Sequence, residues 1–266
     1  MIDWSAWPTP FVGMQWYAVT LVYAAYLFGF YVRGSFGFGS NLPAVLITAF
    51  VLGPLHAVLL VSVVATFSQI QLMPQGLDGA NWGRVIPVVL AMLVGNVLGV
   101  WLLTILTGDW LLVVLGVLVA VMVLTEKLNL LDRMSASFNV RSPALAAAIG
   151  SVSSAMGTVA GGGALYLLAP YLKIAAKSPR EFRSTNVMIA GISSLARILM
   201  LSSAGFVTLE LLTEAVVLIP MTIVGTFAGT RFFKSAEPKR FFAALQLMLL
   251  FAAVLLTVKG IAILLT

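Results

Sequence analysis

Long apolar stretches separated by short polar segments occupy almost the whole chain, and their lengths predict where helices cross a membrane. A helix needs about 20 apolar residues to span the hydrocarbon core of a bilayer. Six stretches have about this length or more: 55–73, 84–106, 110–128, 182–203, 208–233 and 238–265. Two others, 42–52 and 163–173, are too short to cross. The pattern predicts an all-α, polytopic membrane protein.

Each short apolar stretch belongs to a glycine-rich region that recurs in the other half of the chain. The first glycine-rich segment runs from Gly34 to Asn41, and the second runs from Gly157 to Gly163. Non-helical backbone at membrane depth is tolerated only where protein buries it or where it lines an aqueous cavity. We therefore expect unwound backbone at both segments, each leading into a helix that begins inside the membrane.

The distribution of basic residues favours one arrangement of these stretches. If 15–52 and 143–173 are re-entrant hairpins, each half has one hairpin and three spans, and nearly all Lys and Arg residues fall on one side. Positive residues concentrate on the cytoplasmic side of membrane proteins. Three spans per half also invert the second half, a common transporter plan. The sequence predicts two inverted repeats, 1–128 and 143–266, joined by a cytoplasmic linker at 129–142.

An arrangement with eight full spans is the alternative. It would place Lys127, Arg133 and Arg141 on the opposite side from Arg231 and Lys234, against the rule for basic residues. The leg 15–32 is nearly long enough to cross, at about 27 Å for a helix rising 1.5 Å per residue. Whether this leg is re-entrant or fully spanning stays open.

The glycine-rich segments are the predicted binding site. A helix that begins inside the membrane aims free N–H groups and the positive end of its dipole at the cavity, and glycine lets a ligand approach the backbone. Asn41 is the predicted N-cap of the helix 42–52. The predicted oxyanion cradle comprises Ser35, Gly39, Ser40, Asn41, Thr158, Gly161, Gly162 and Gly163. The alternative is close helix packing with caps that satisfy backbone donors.

Two arginines, Arg33 and Arg197, fall within the membrane region, where a charged side chain is costly and usually pairs or marks a pathway. The guanidinium fork fits a sulfonate or carboxylate in a bidentate manner. Gln69 and Asn186 lie on polar faces of the helices that follow the two breaks, and they complete the predicted substrate-binding set. In the alternative, Arg33 reaches an interface and Arg197 forms a structural ion pair.

Three other ionisable residues receive weaker assignments. Glu210 and Glu214, on the stretch 208–233, are the expected ion-pair partners of Arg197, and a proton relay through them is a second interpretation. His56, the single histidine, follows Gly53 and Pro54 at an outer turn. We interpret it as an ordinary turn residue.

Composition narrows the range of functions. Hydrophobic residues make up 61% of the chain and charged residues 9%, compared with about 25% charged in soluble domains. The net charge of +6 comes from basic residues in short loops, which indicates membrane orientation and argues against nucleic-acid binding. The chain has no cysteine and no enzyme motif. We predict no enzymatic activity, no cofactor and no metal site.

The duplicated segments resemble those of the sulfite exporter TauE/SafE family of bacterial membrane transporters. The resemblance covers nearly the whole chain and rests on the order of several short motifs. They are the stretches 37–43 and 157–163, the turns 53–57 and 178–182, and Asn81-Trp82 ahead of Gly95 and Gly99. The first glycine cluster of the family often has three consecutive glycines, where this chain has Gly39-Ser40-Asn41. The resemblance implies transport of small sulfur oxyanions or organosulfonates.

The leading hypothesis is a secondary transporter of the inner cell membrane that moves a small anion, sulfite or an organosulfonate, by alternating access. The anion would bind near the midplane, between the two hairpin tips. The expected partners are the anion and the lipid bilayer, without nucleic acid, and a homodimer is left open. A passive anion channel and a membrane scaffold subunit that transports nothing are the two alternatives.

Overall fold

The computed structural model describes residues 8–36, 41–106, 108–128, 142–162, 168, 171–172, 175–233 and 238–265. In these residues the chain is helical and forms no β-strand. Its long helices are α1 (Trp16–Phe36), α2 (Asn41–Leu52), α3 (Pro54–Leu72), α4 (Trp82–Ile105), α5 (Gly108–Lys127), α6 (Pro143–Val159), α7 (Pro179–Ser203), α8 (Leu209–Phe233) and α9 (Pro238–Leu265).

The helix boundaries follow from local sequence. Proline, which lacks an N–H and has a fixed φ suited to the first helical turn, is the first residue of α3, α6, α7 and α9. The Ser178 hydroxyl caps α7 by accepting a hydrogen bond from the N–H of Glu181 at 3.1 Å. Gly53 and Gly205, with φ of 81° and 79°, form the sharp turns between α2 and α3 and between α7 and α8.

Six helices are long and apolar enough to cross a membrane by length and composition. They contain the segments Pro54–Leu72, Trp82–Ile105, Gly108–Thr125, Pro179–Ser203, Leu209–Arg231 and Gln246–Leu265. These correspond one by one to the six predicted spans, so the prediction of an all-α, polytopic membrane protein is confirmed. α1, with 21 residues, is not among the six, and α2 is too short. A re-entrant first hairpin therefore stays a prediction.

The glycine-rich breaks begin later along the chain than predicted. Gly34 lies inside α1, which continues to Phe36, and Gly157 lies inside α6, which continues to Val159. Gly34 is tolerated in a helix because its missing side chain leaves room for the backbone of Thr226 on α8. The expectation that both glycines are unwound was wrong, since close packing requires a small residue within a helix as much as a turn does.

Helix packing follows the same pattern when the two halves are exchanged. The first helix of each half packs against the second span of the other half, so α1 packs on α8 and α6 packs on α4. The first spans, α3 and α7, contact each other, and the third spans, α5 and α9, pair as well. This pattern places the interface between the two halves at the centre of the protein.

Small residues make the contacts between the halves close. An added Cβ at Gly225 on α8 would lie 2.5 Å from the carbonyl oxygen of Leu27 on α1. At the equivalent position in the first half, an added Cβ at Gly95 on α4 would clash with the carbonyl oxygen of Ser151 on α6. Small residues on the contacting faces of two helices let the helix backbones approach closely in membranes. These two glycines, at equivalent positions of the two halves, therefore serve helix packing.

We expect Gly225→Ala to destabilise the folded protein by about 1–3 kcal/mol, the usual effect of overpacking, because backbone atoms of α1 cannot move aside as a side chain can. Gly108→Ala is the matched control, since an added Cβ there meets nothing within 4 Å. Thermal unfolding in detergent compares the two variants. Equal melting temperatures would contradict the tight α1–α8 contact.

Candidate functional site

Three elements meet at a buried junction between the two halves: the start of α2, the end of α6 and the second half of α7. Asn41, the first residue of α2, is buried, and its Nδ2 donates a hydrogen bond of 2.5 Å to the carbonyl oxygen of Gly161. A Cβ at Gly161 would lie 2.8 Å from Val45 on α2 and 3.3 Å from the carbonyl oxygen of Val58 on α3. Gly161 therefore fits between α2 and α3 because it has no side chain.

The end of α6 is set by two glycines in the left-handed region. Gly161 has φ of 70° and Gly162 has φ of 99°. The N–H of Gly162 donates to the carbonyl oxygen of Gly157, and the N–H of Ala160 donates to that of Met156. A six-to-one bond of this kind, with glycine at the left-handed position, is the Schellman ending of a helix. It turns the chain sharply out of α6 at the junction.

Arg197 on α7 supplies the charge at this junction. Arg197 is buried, with only 4% of its surface exposed. A Cβ added at Gly162 would lie 2.7 Å from Nη2 of Arg197 and 2.7 Å from Nδ2 of Asn41, so both donors face Gly162. Nη2 also donates to Ser194 at 3.4 Å, and Nε is buried without a hydrogen-bond partner in the described part of the chain.

The guanidinium of Arg197 lacks a counterion among the residues that the structure describes. Glu214 was an expected partner, but its carboxylate lies 2.5 Å from Nε2 of His56 instead, and Glu210 is exposed. The expected pairing of Arg197 with Glu214 or Glu210 was wrong, as was the interpretation of His56 as an ordinary turn residue. A buried charge without a partner is strongly unfavourable. The junction is therefore suited to receive an anion.

Arg33 and Gln69 form a second polar contact, away from the junction. Nη2 of Arg33 donates to Oε1 of Gln69, and the guanidinium also lies 5.9 Å from the ring centre of Phe30. Gln69 follows Val58 by 11 positions on α3, which corresponds to about 16 Å along a helix. The structure thus brings two predicted site residues together, but it separates them from Asn41, Gly162 and Arg197.

Two residues that contribute to the junction lie towards one end of their helices. Val58 is four residues past the start of α3, and Arg197 is six residues before the end of α7. These separations correspond to about 6 Å and about 9 Å of helix. These two residues lie nearer the end that carries His56, whereas Asn41 is separated from that end by the 12 residues of α2, about 18 Å of helix. A position near the midplane therefore stays a prediction. Arg33 and Gln69 lie towards the opposite end.

A buried hydrogen-bond network on Asn96 supports the junction. Oδ1 of Asn96 accepts from Ser154 at 2.6 Å and from Thr158 at 3.0 Å, both on α6. Nδ2 of Asn96 donates to the carbonyl oxygen of Ser193 on α7 at 3.1 Å. Because Thr158 is three residues before Gly161 and Ser193 is one turn before Arg197, the network holds both parts of the junction in place.

The other predicted site residues have less direct placements. The Thr158 hydroxyl hydrogen-bonds with Oδ1 of Asn96 and with the carbonyl oxygen of Ser154, so it supports the junction and does not line it. Asn186 lies 11 positions before Arg197 on α7, and its Oδ1 is buried without a hydrogen-bond partner in the described residues. Gly39, Ser40 and Gly163 lie outside the described residues, as does the side chain of Ser35.

The sequence interpretation missed Asn96 and the actual partner of Glu214. Asn96 carried a signal, since an amide in the middle of the apolar helix α4 needs buried partners. It was treated only as a residue between Gly95 and Gly99. Glu214 was recognised as acidic, but its partner could not be identified, because His56 is 158 positions away along the chain.

The fold and the junction define a polytopic helical membrane protein with a buried basic site between its two halves. Residues 21–256 match the family model described as sulfite exporter TauE/SafE. The chain belongs to this family of membrane transporters, and the resemblance noted from the sequence is confirmed. No curated protein and no solved structure shows significant similarity to the chain.

Proposed function

We propose that this protein is a secondary transporter that carries a small anion, sulfite or an organosulfonate, across the inner cell membrane by alternating access. The observation that carries the proposal is the buried guanidinium of Arg197, which faces Gly162 and Asn41 without a carboxylate partner in the described residues. A buried positive charge is stabilised when an anion binds beside it. A transported anion would provide this counterion.

The donors at the junction suit an oxyanion. The amide of Asn41, the Arg197 guanidinium and the N–H groups in the first turn of α2 all carry positive or partially positive hydrogen. Hydrogen bonds in which the donor or the acceptor is charged are about twice as strong as neutral ones. The family description supports sulfur oxyanions as the substrate class, and the guanidinium fork matches two oxygens of a sulfite or sulfonate group.

Inverted repeats would provide the machinery for alternating access. The exchange-symmetric packing supports this arrangement, as do the contacts at the two ends of the helix bundle. At one end His56 and Glu214 join the starts of α3 and α8, and at the other Arg84 and Glu181 join the starts of α4 and α7. The equivalent helices α3 and α7 then run in opposite directions, which is the defining property of inverted repeats.

The purified protein in liposomes tests this function with a panel of sulfite, sulfoacetate, taurine, sulfate and carboxylates. A carrier gives saturable flux and counterflow, in which unlabelled anion inside the vesicles drives uptake of labelled anion from outside. A channel gives steady electrogenic current without counterflow, and a scaffold subunit gives no flux. We expect counterflow with sulfite or a sulfonate, and its absence for the whole panel would reject the proposal.

The topology gives a separate prediction. The linker 129–142 and the loop 234–238 fall largely outside the described residues, and we expect both to face the cytoplasm because of their basic neighbours. Single cysteines at Ser137 and Ser235, in a chain with no cysteine of its own, can be labelled with a membrane-impermeant thiol reagent. Both should react from the cytoplasmic side. Labelling of the two positions from opposite sides would reject the inverted repeats.

A further inference from the structure

A buried carboxylate and the single histidine form a pair at the end of the bundle where α3 and α8 begin. Oε2 of Glu214 on α8 lies 2.5 Å from Nε2 of His56 on α3. The Glu214 side chain is 4% exposed, whereas that of His56 is 34% exposed. The imidazole can therefore exchange protons with its surroundings while the carboxylate beside it stays enclosed.

The elements packed around this pair add few other ionisable groups. Oε1 of Glu214 accepts a hydrogen bond of 3.4 Å from the N–H of Phe11, ahead of α1. Tyr26 on α1 is fully buried, lies within electrostatic range of Glu214, and its hydroxyl lacks a partner in the described residues. The other described charges of this end are on Glu210 of α8, Asp109 of α5 and Lys259 of α9, and no ion pair is described between them and the pair.

The pair is adjacent to the anion junction along α3. His56 precedes Val58 by two residues, and the carbonyl oxygen of Val58 lies against Gly161. Gly161 in turn accepts the hydrogen bond of Asn41 and precedes Gly162, which faces Arg197. A change of charge or position at His56 is thus connected to the junction through one turn of helix.

We propose that His56 and Glu214 form a proton-binding site whose occupancy is coupled to anion binding at the junction. This inference rests on the proposed transport function. One proton from solution adds to the neutral imidazole, the pair changes from a net charge of −1 to 0, and no other bond forms or breaks. Removing a negative charge two residues from the Val58 contact with the junction favours an anion there, so proton and anion bind cooperatively. A monovalent anion moving with one proton then transfers no net charge.

The single histidine makes the test direct, because ¹⁵N-histidine labelling gives imidazole signals from His56 alone. The pH midpoint of these signals is measured in detergent with and without saturating sulfite. Coupling between two sites is reciprocal and typically corresponds to five- to 150-fold in affinity. We expect sulfite to move the midpoint by about one pH unit, which corresponds to tenfold coupling.

The reciprocal measurement is sulfite affinity as a function of pH in three variants. Sulfite titrates itself, but that contribution is common to all of them. We expect the wild-type sulfite affinity to change with pH by about tenfold more than the affinities of His56→Gln and Glu214→Gln. Glu210→Gln, which alters an exposed carboxylate one turn away from Glu214, should keep the wild-type pH dependence. A purely structural ion pair predicts lower melting temperatures in the two pair variants with wild-type pH dependence.

The outcomes separate this inference from the proposed function. If sulfite binds and the His56 midpoint stays fixed, the coupling is rejected and the anion site stands. If sulfite and the sulfonates neither bind nor show counterflow, the proposed function fails, and the coupling fails with it. A midpoint shift in the wild type that persists in Glu214→Gln would exclude the pair as the site of coupling.

Discussion

Arg197→Ala is expected to abolish anion binding while leaving the protein as stable as the wild type or more stable. Removing one partner of a buried charge pair costs about 2–5 kcal/mol of binding, which corresponds to about 30-fold or more in affinity. The folded state without anion has no described carboxylate to leave unpaired. Sulfite affinity and melting temperature, measured on the same purified variant, check both parts of the prediction.

Two companion variants make the result specific. Arg197→Lys should restore binding only in part, because an ammonium is a point charge without the guanidinium fork. Arg33→Ala should slow transport with a smaller effect on affinity, since Arg33 contacts Gln69 at a distance from the junction. Wild-type sulfite affinity in Arg197→Ala would remove this residue from the site, whatever the stability of the variant.

Gly162→Val is expected to have the second largest effect, the loss of sulfite binding in protein that still folds. The new Cβ would lie 2.7 Å from the donor nitrogens of both Arg197 and Asn41 and would push these two side chains away from the junction. Gly162→Ala should show most of the same loss, because the clash begins at Cβ. Gly39→Val should have a milder effect, since Ser40 and Asn41 already add bulk to the first segment.

Backbone strain needs its own control, since Gly162 has φ of 99°, a conformation that other residues adopt at a cost of about 1–3 kcal/mol. Gly205→Ala provides it, with φ of 79° and nothing within 4 Å of the added Cβ. Both alanine variants should lose similar stability, but Gly205→Ala alone should keep the sulfite-induced rise in melting temperature. A retained sulfite response in Gly162→Ala would reject the cradle in favour of simple packing.

The sequence predicted what depends on local pattern. The six spans emerged from hydrophobic length alone, and the short helix α2 followed from the proline and asparagine at its start. The glycines at the end of α6 were recognised because their left-handed turn requires them. The extent of α1 was misjudged at Gly34, since a glycine that admits a neighbouring backbone looks the same in sequence as one that forms a turn.

The partners of the polar side chains were beyond prediction from one sequence. Asn96 bonds to Thr158, and His56 to Glu214, across separations of 62 and 158 positions. Such pairs depend on which helices become neighbours and on the rotation of each, and hydrophobic periodicity fixes neither. The same limitation merged Arg33 and Arg197 into one predicted site, because the apolar pattern places both residues in the membrane without fixing the distance between them.

The turn at Gly53 allows α2 to act as a rigid arm that tilts about this residue. Gly53 has φ of 81°, and no neighbouring atom lies within 4 Å of a Cβ position, so the turn has open space on its side-chain face. The 12 residues of α2 form an arm of about 18 Å that ends at Asn41. A tilt of about 10° about this pivot would displace the tip by about 3 Å. That movement would separate Asn41 from Gly161, so a small rotation at the surface would open or close a contact deep inside the protein.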